Sequence, residues 1–292
     1  MSLRPAWLTF RRYAAATTGM TLTLFALGVY TAATGSGLAC QAQWPLCSDQ
    51  LIPALTINPD FIEWFHRVWA MVTGFLIIGV AAWTWAGDFD RRTRLAATLA
   101  VVVLPVQITV GAVTVTIGGL VPGGYTVSTH AAHLIVALVI FTLLGLATLW
   151  GGSRPGPRLL RIGLGVALAG LLAGVAFSRA VPLVTYSPGA QAAFYVATLS
   201  AHLGLLAVAV SATEGANGTA VDAARVRALA VGSMAFLVVT LLLGRDLVLY
   251  TGTWQTVNLL AIAGAVALAA AAAWSVRTAE PNAAGRATLG GD

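Results

Sequence analysis

Long apolar stretches separated by short polar ones dominate this chain. Mostly hydrophobic runs occupy about 13–33, 62–86, 95–117, 127–150, 159–181, 191–212, 226–244 and 254–275. Each is close to the ~20 residues a helix needs to cross a bilayer. The runs are continuous rather than alternating, which predicts helices and not the strands of a barrel. Eight spans follow, the seventh ending on Arg245 and Asp246. Residues 151–158, rich in glycine, proline and arginine, form the strongest break. The predicted fold is an all-α integral membrane protein, with eight transmembrane helices arranged as two pseudo-repeated four-helix bundles. Residues 1–150 make the first bundle and 158–276 the second. The polar, Gly/Ala-rich stretch 277–292 reads as a disordered tail.

Composition agrees with this pattern. Of 292 residues 58% are hydrophobic and 9% charged, against about a quarter charged in a soluble domain. All 16 basic residues are arginine. Most fall in the tails and in alternate loops: Arg11 and Arg12, Arg91, Arg92 and Arg94, Arg154, Arg158 and Arg161, Arg225 and Arg227, and Arg277. The positive-inside rule therefore predicts a multi-pass cell-membrane protein with both termini cytoplasmic. The loop holding the two cysteines is then extracytoplasmic. The net charge of +6 follows topology and is no signature of nucleic-acid binding. The first run lacks a small-residue cleavage site, so it is expected to stay as a span.

Chemistry-bearing residues are few. The four histidines are His66, His130, His133 and His202, all expected in the half of the membrane nearer the cysteine loop. His66 lies about four residues into the second run, ~6 Å, and His133 about seven into the fourth, ~10 Å. Two imidazoles at similar depth on different helices are able to grip a heme iron from both sides. Each is equally able to serve as a hydrogen-bonded packing residue. His130, one turn nearer the surface, reads as a rim or hydrogen-bonding residue. The last run offers Asn258 where a fourth ligand would be wanted. Glu63 is three residues before His66 and so shares its helical face. It is a partner orienting His66, a carboxylate handling protons or positive charge, or an ion-pair partner of Arg67. Cys40 and Cys47, outside the cytoplasm, are expected to form a disulfide, structural or redox-active. No phosphate loop, nucleophile elbow or covalent heme motif occurs.

Several motifs in order carry a family resemblance. Thr34-Gly35-Ser36-Gly37-Leu38-Ala39-Cys40, then Trp44-Pro45-Leu46-Cys47, then Glu63-Trp64-x-His66-Arg67 are followed by Gln107-x-x-x-Gly111-x-x-Thr114-Val115 and His133-Leu134. This series resembles the heme A synthases across most of residues 25–145. The resemblance implies eight helices in two bundles and oxidation of a methyl group of heme O to the formyl group of heme A. It implies substrate heme O between His66 and His133, with Glu63, His66 and His133 catalytic and Arg67, His130 and Gln107 auxiliary. It implies a Cys40–Cys47 disulfide, and a heme b in the second bundle on His202, with Asn258 standing where a histidine is expected. Implied partners are heme O synthase, terminal-oxidase assembly factors and the lipid bilayer, with no nucleic acid. Two other functions fit histidines in a bundle: a b-type cytochrome carrying electrons, and a transporter or heme-handling protein.

Overall fold

The computed structural model describes residue 5 and residues 7–41, 43–118, 126–152, 156–181, 183–214, 222–244 and 248–278. Arg154, Arg245 and Asp246, the turns expected at Gly119 and Gly123–Gly124, and residues 279–292 lie outside the described residues. Eight helices run through the rest: α1 Phe10–Ala33, α2 Pro59–Ala86, α3 Arg91–Gly118, α4 Val127–Trp150, α5 Pro157–Phe177, α6 Pro188–Glu214, α7 Ala223–Leu243 and α8 Gly252–Thr278. All are long and apolar enough to cross a membrane, so the protein is a multi-pass membrane protein. Among the described residues there is no strand, only an isolated bridge between Cys47 and Gln50.

The helices start earlier than the apolar runs because polar caps begin them. Asn58 accepts the Phe61 N–H at 2.9 Å and Pro59 occupies the first turn, so α2 begins three residues before the run. Asp90 does the same for α3, taking the Thr93 N–H at 2.9 Å. Burial pushes the Asp90 carboxyl up, but the Thr93 hydroxyl and N–H and the Arg92 guanidinium hold it below its usual value. Within the spans, hydroxyls bond back to the preceding turn: Thr18 to Ala14, Thr31 to Leu27 and Thr198 to Phe194, at 2.7–2.8 Å. With no water in the hydrocarbon, this local satisfaction is what lets threonine be used there.

The packing closes two rings. α1 meets α2, α2 meets α3, α3 meets α4 and α4 returns to α1; α5, α6, α7 and α8 repeat the pattern. The rings join where α6 packs on α1 and α4, and α6 is the most buried span. Phe25, Phe141, Phe194 and Leu199 share the core at that junction. In the second ring α5 and α6 touch backbone to backbone. A Cβ on Gly163 would stand 2.8 Å from the Gly204 carbonyl oxygen, and one on Gly170 2.6 Å from that of Ala197. Small residues drive such contacts, since apolar burial gives no helix-to-helix preference in lipid.

Gly163→Ala is expected to lose about 1–3 kcal/mol by overpacking this contact. Gly165→Ala, where a Cβ meets nothing within 4 Å, is expected to be neutral or slightly stabilising. Thermal unfolding in detergent reads both; equal midpoints for the two variants would contradict the backbone contact.

Candidate functional site

The face of α2 nearest the cysteine loop holds the most connected polar cluster. Cys40 and Cys47 are disulfide-bonded and fully buried, and the short turn they close folds back over the start of α2. Glu63, 2% exposed, points into that turn. Its Oε2 accepts the Cys40 N–H at 2.7 Å, while its Oε1 is paired with Arg67 Nη2. Arg67 Nη1 donates to the Gln43 carbonyl at 2.5 Å. Gln43 in turn is bonded through its side-chain amide to Asp49, at 3.0 and 2.9 Å. One i,i+4 pair thus grips the loop on both sides of the turn. Of the roles open to Glu63 in the sequence, the Arg67 pairing is the one the geometry displays. The bond to Cys40 was not legible, because only folding brings residues 40 and 63 together.

His66 lies between these two anchors on the same helix. Its Nε2 is 3.1 Å from where a Cβ of Gly28 would stand, so the ring rests against α1 in space that a glycine leaves open. His133 is seated alike: its Cε1 is 3.1 Å from the Cβ position of Gly111 on α3. His66 follows the start of α2 by seven residues and His133 that of α4 by six, or ~10 and ~9 Å of rise. The depths agree better than the apolar runs predict, since the Asn58 cap lengthens α2. Gln107 Nε2 donates to the His133 ring, 3.1 Å from its Nε2 and 3.3 Å from its Nδ1. One His133 ring nitrogen is therefore an acceptor, and its lone pair is one a metal is able to take over. Gln107 Oε1, beside it, is buried with no partner. These residues suit a heme iron: an acceptor nitrogen, an orphaned amide oxygen, and two imidazoles each with a glycine behind it. His130 is buried and bonded through Nδ1 to the Thr126 carbonyl at 3.1 Å, which matches a hydrogen-bonding role.

The second ring is arranged differently. His202 does not lie in the loop-side half; α6 begins at Pro188, so the residue is mid-helix. Its Nε2 is 2.9 Å from the Thr142 hydroxyl on α4, and its ring is 6.3 Å from that of Phe141. Asn258, fully buried, donates to the Tyr250 hydroxyl at 3.0 Å near the α7–α8 loop. Tyr250 lies under the Arg179 guanidinium, 4.0 Å from ring centroid to Cζ. Gly244, at the end of α7, backs onto Phe194 and not onto a histidine. Among the described residues no three His, Cys, Asp or Glu side chains gather as a metal cluster.

Residues 11–199 match the COX15-CtaA family, described as a cytochrome oxidase assembly protein. The chain is 35% identical over 123 residues to the heme A synthase of Bacillus licheniformis, covering 42% of this chain and 38% of that protein. It is 32% identical over 133 residues to the heme A synthase of Bacillus pumilus, covering 43% of each. It is also 37% identical over 127 residues to the protoheme IX farnesyltransferase of Halobacterium salinarum, covering 44% of this chain and 27% of that protein. The chain therefore aligns with less than half the length of each of these relatives. No solved structure matches.

Glu63→Ala is expected to leave Arg67 without its buried partner and to free the Cys40 N–H, costing roughly 3 kcal/mol. The loop should then open more often, and its disulfide should be reduced at least ~10-fold faster by a phosphine. Maleimide labelling over time measures this. Wild-type reduction kinetics in the variant would show that Glu63 does not hold the loop.

Proposed function

Since the chain belongs to the COX15-CtaA family of cytochrome oxidase assembly proteins, we propose that it oxidises a methyl group of heme O to the formyl group of heme A. The observation that carries the reading is the seating of His66 and His133 at one depth on α2 and α4, each against a glycine of the preceding helix. The substrate brings its own iron. His66 and His133 hold that iron from opposite sides, His133 exchanging its bond to Gln107 for the metal. Gln107, left beside the macrocycle, offers its amide to orient the bound imidazole or the porphyrin edge.

Glu63 acts as a fixed carboxylate. Hydride or electron loss from the methyl carbon builds positive charge, and a preorganised anion in a water-poor site lowers the barrier to that. Arg67 and the Cys40 N–H keep the carboxylate in place. Two bonds to fixed partners favour an electrostatic role over repeated proton transfer. Water supplies the formyl oxygen in the overall balance, four protons leave, and four electrons pass singly through the substrate iron to an external electron acceptor.

The arginine distribution supports cytoplasmic termini and an extracytoplasmic cysteine loop, with the site just beneath the outer surface. The lipophilic tail of heme O then extends between helices into lipid. The proposed partners are the enzyme that farnesylates protoheme, as the source of substrate, and the terminal-oxidase assembly that takes heme A. A b-type electron carrier gives the cysteine loop and Glu63 no task, and these relatives are named for synthesis and transfer rather than electron transport.

Pigment extraction from cells supplied with heme O tests the reading. His66→Ala and His133→Ala are expected to abolish heme A, and undiminished conversion in either removes that residue from the site. Gly111→Leu, which drives a side chain into the His133 ring, is expected to lose roughly 100-fold. Full activity in that variant would mean that His133 is not held where the reaction needs it.

A further inference from the structure

His202 is a histidine at membrane depth, the feature that marks a ligand candidate, yet its hydrogen bonds argue otherwise. The Thr142 hydroxyl has one proton, and it goes to the Leu138 carbonyl at 2.7 Å. Thr142 Oγ1 must therefore accept from His202 Nε2, 2.9 Å away. The proton sits on Nε2, the nitrogen that would have to offer a lone pair to iron. The other nitrogen, Nδ1, is buried and unpartnered. It adjoins Cβ, so a macrocycle bound through it would run into the α6 backbone. In the first ring His133 faces a donor instead: Gln107 Nε2 lies 3.1 Å from its Nε2 and 3.3 Å from its Nδ1, so one ring nitrogen there accepts.

The surroundings agree. Inward of His202, Leu205 and Val208 of α6 share one buried apolar cluster with Ala265 and Ala269 of α8. Gly163 and Gly204 bring α5 and α6 into backbone contact. On the loop side Asn258 donates through its amide nitrogen to Tyr250, itself covered by Arg179, while its Oδ1 is buried without a partner. Asn258 is thus tied to the loops, while His202 is tied to the middle of α4. Residues 151–292 hold no other histidine. The residues present do not fit a bis-histidine heme b.

We infer that His202 is a positioning residue and not a heme ligand: its Nε2–H bond to Thr142 docks α6 on α4, and the chain binds one heme, in the first ring. α4 also carries His133, nine residues and ~13 Å towards the loop side from Thr142. The bond thereby fixes the helix that presents an iron ligand. The count of one rests on the proposed first-ring site; the role of His202 does not.

The test is ferric protoporphyrin titration of the purified full-length chain in detergent, with heme per chain counted as pyridine hemochrome in the monodisperse fraction. Wild type is expected to saturate at one equivalent. His202→Gln, which keeps an N–H for Thr142, is expected to match it in stoichiometry and affinity. His202→Leu and Thr142→Val are expected to keep the stoichiometry but bind about fivefold more weakly, since each removes one buried hydrogen bond. Two equivalents in wild type, or loss of an equivalent in His202→Gln, overturns the inference. Unchanged affinity in both His202→Leu and Thr142→Val overturns the positioning role. Full heme binding by the His66→Ala/His133→Ala double variant would sink the first-ring site instead, and leaves the His202→Gln result to decide the role of His202 by itself.

Discussion

A polar group inside a bilayer has no water to turn to, and almost every feature of this protein answers to that constraint. Threonine hydroxyls close on the carbonyls of their own helices. Glu63 and Arg67 neutralise each other and spend their remaining bonds on the cysteine loop. His202 takes Thr142, and Asn258 takes Tyr250. Against this background orphaned atoms stand out. Among the described residues Thr73 Oγ1, Gln107 Oε1, His202 Nδ1, Ser211 Oγ and Asn258 Oδ1 are buried without a partner, and Gln107 Oε1 belongs to the amide that donates to His133. What supports the proposed site in the first ring is that its imidazoles are each backed by a glycine.

The loop and the imidazole are parts of one device. Glu63, His66 and Arg67 occupy a single turn of α2, so the helix that fastens the disulfide-closed turn also carries the proposed iron ligand His66. Movement of the loop would be felt first by the carboxylate and then by its helix. The second ring lacks such a device. Its glycines bring helices into contact, where Gly28 and Gly111 make room for rings. Two rings with the same helix order thus serve different ends: one holds open space around imidazoles, and the other fills it and braces α4.

Much of this was legible in the sequence. Hydropathy alone separates eight spans, because a span must be apolar for most of its length, and the Gly/Pro/Arg break divides them four and four. The i,i+4 spacing of Glu63 and Arg67 offers their pairing as one of three roles, and the expected extracytoplasmic place of the two cysteines predicts their bridge. What was not legible depends on contacts distant in the chain. Nothing in the order of residues says that Gly28 stands behind His66 or that Thr142 meets His202. The depth of His202 differs from the expectation: it lies near the middle both of the apolar run 191–212 and of α6, not in the loop-side half. The earlier helix start at Asn58 deepens His66 and brings it level with His133.

The central claim is that imidazoles from α2 and α4 hold the iron of the substrate between them. Low-temperature electron paramagnetic resonance of the purified chain loaded with ferric heme O addresses it directly. The account predicts a low-spin signal typical of two imidazole ligands, converted to a high-spin signal when either His66 or His133 is replaced by alanine. A high-spin signal in the unaltered chain, or a bis-imidazole signal that survives both replacements, would contradict it.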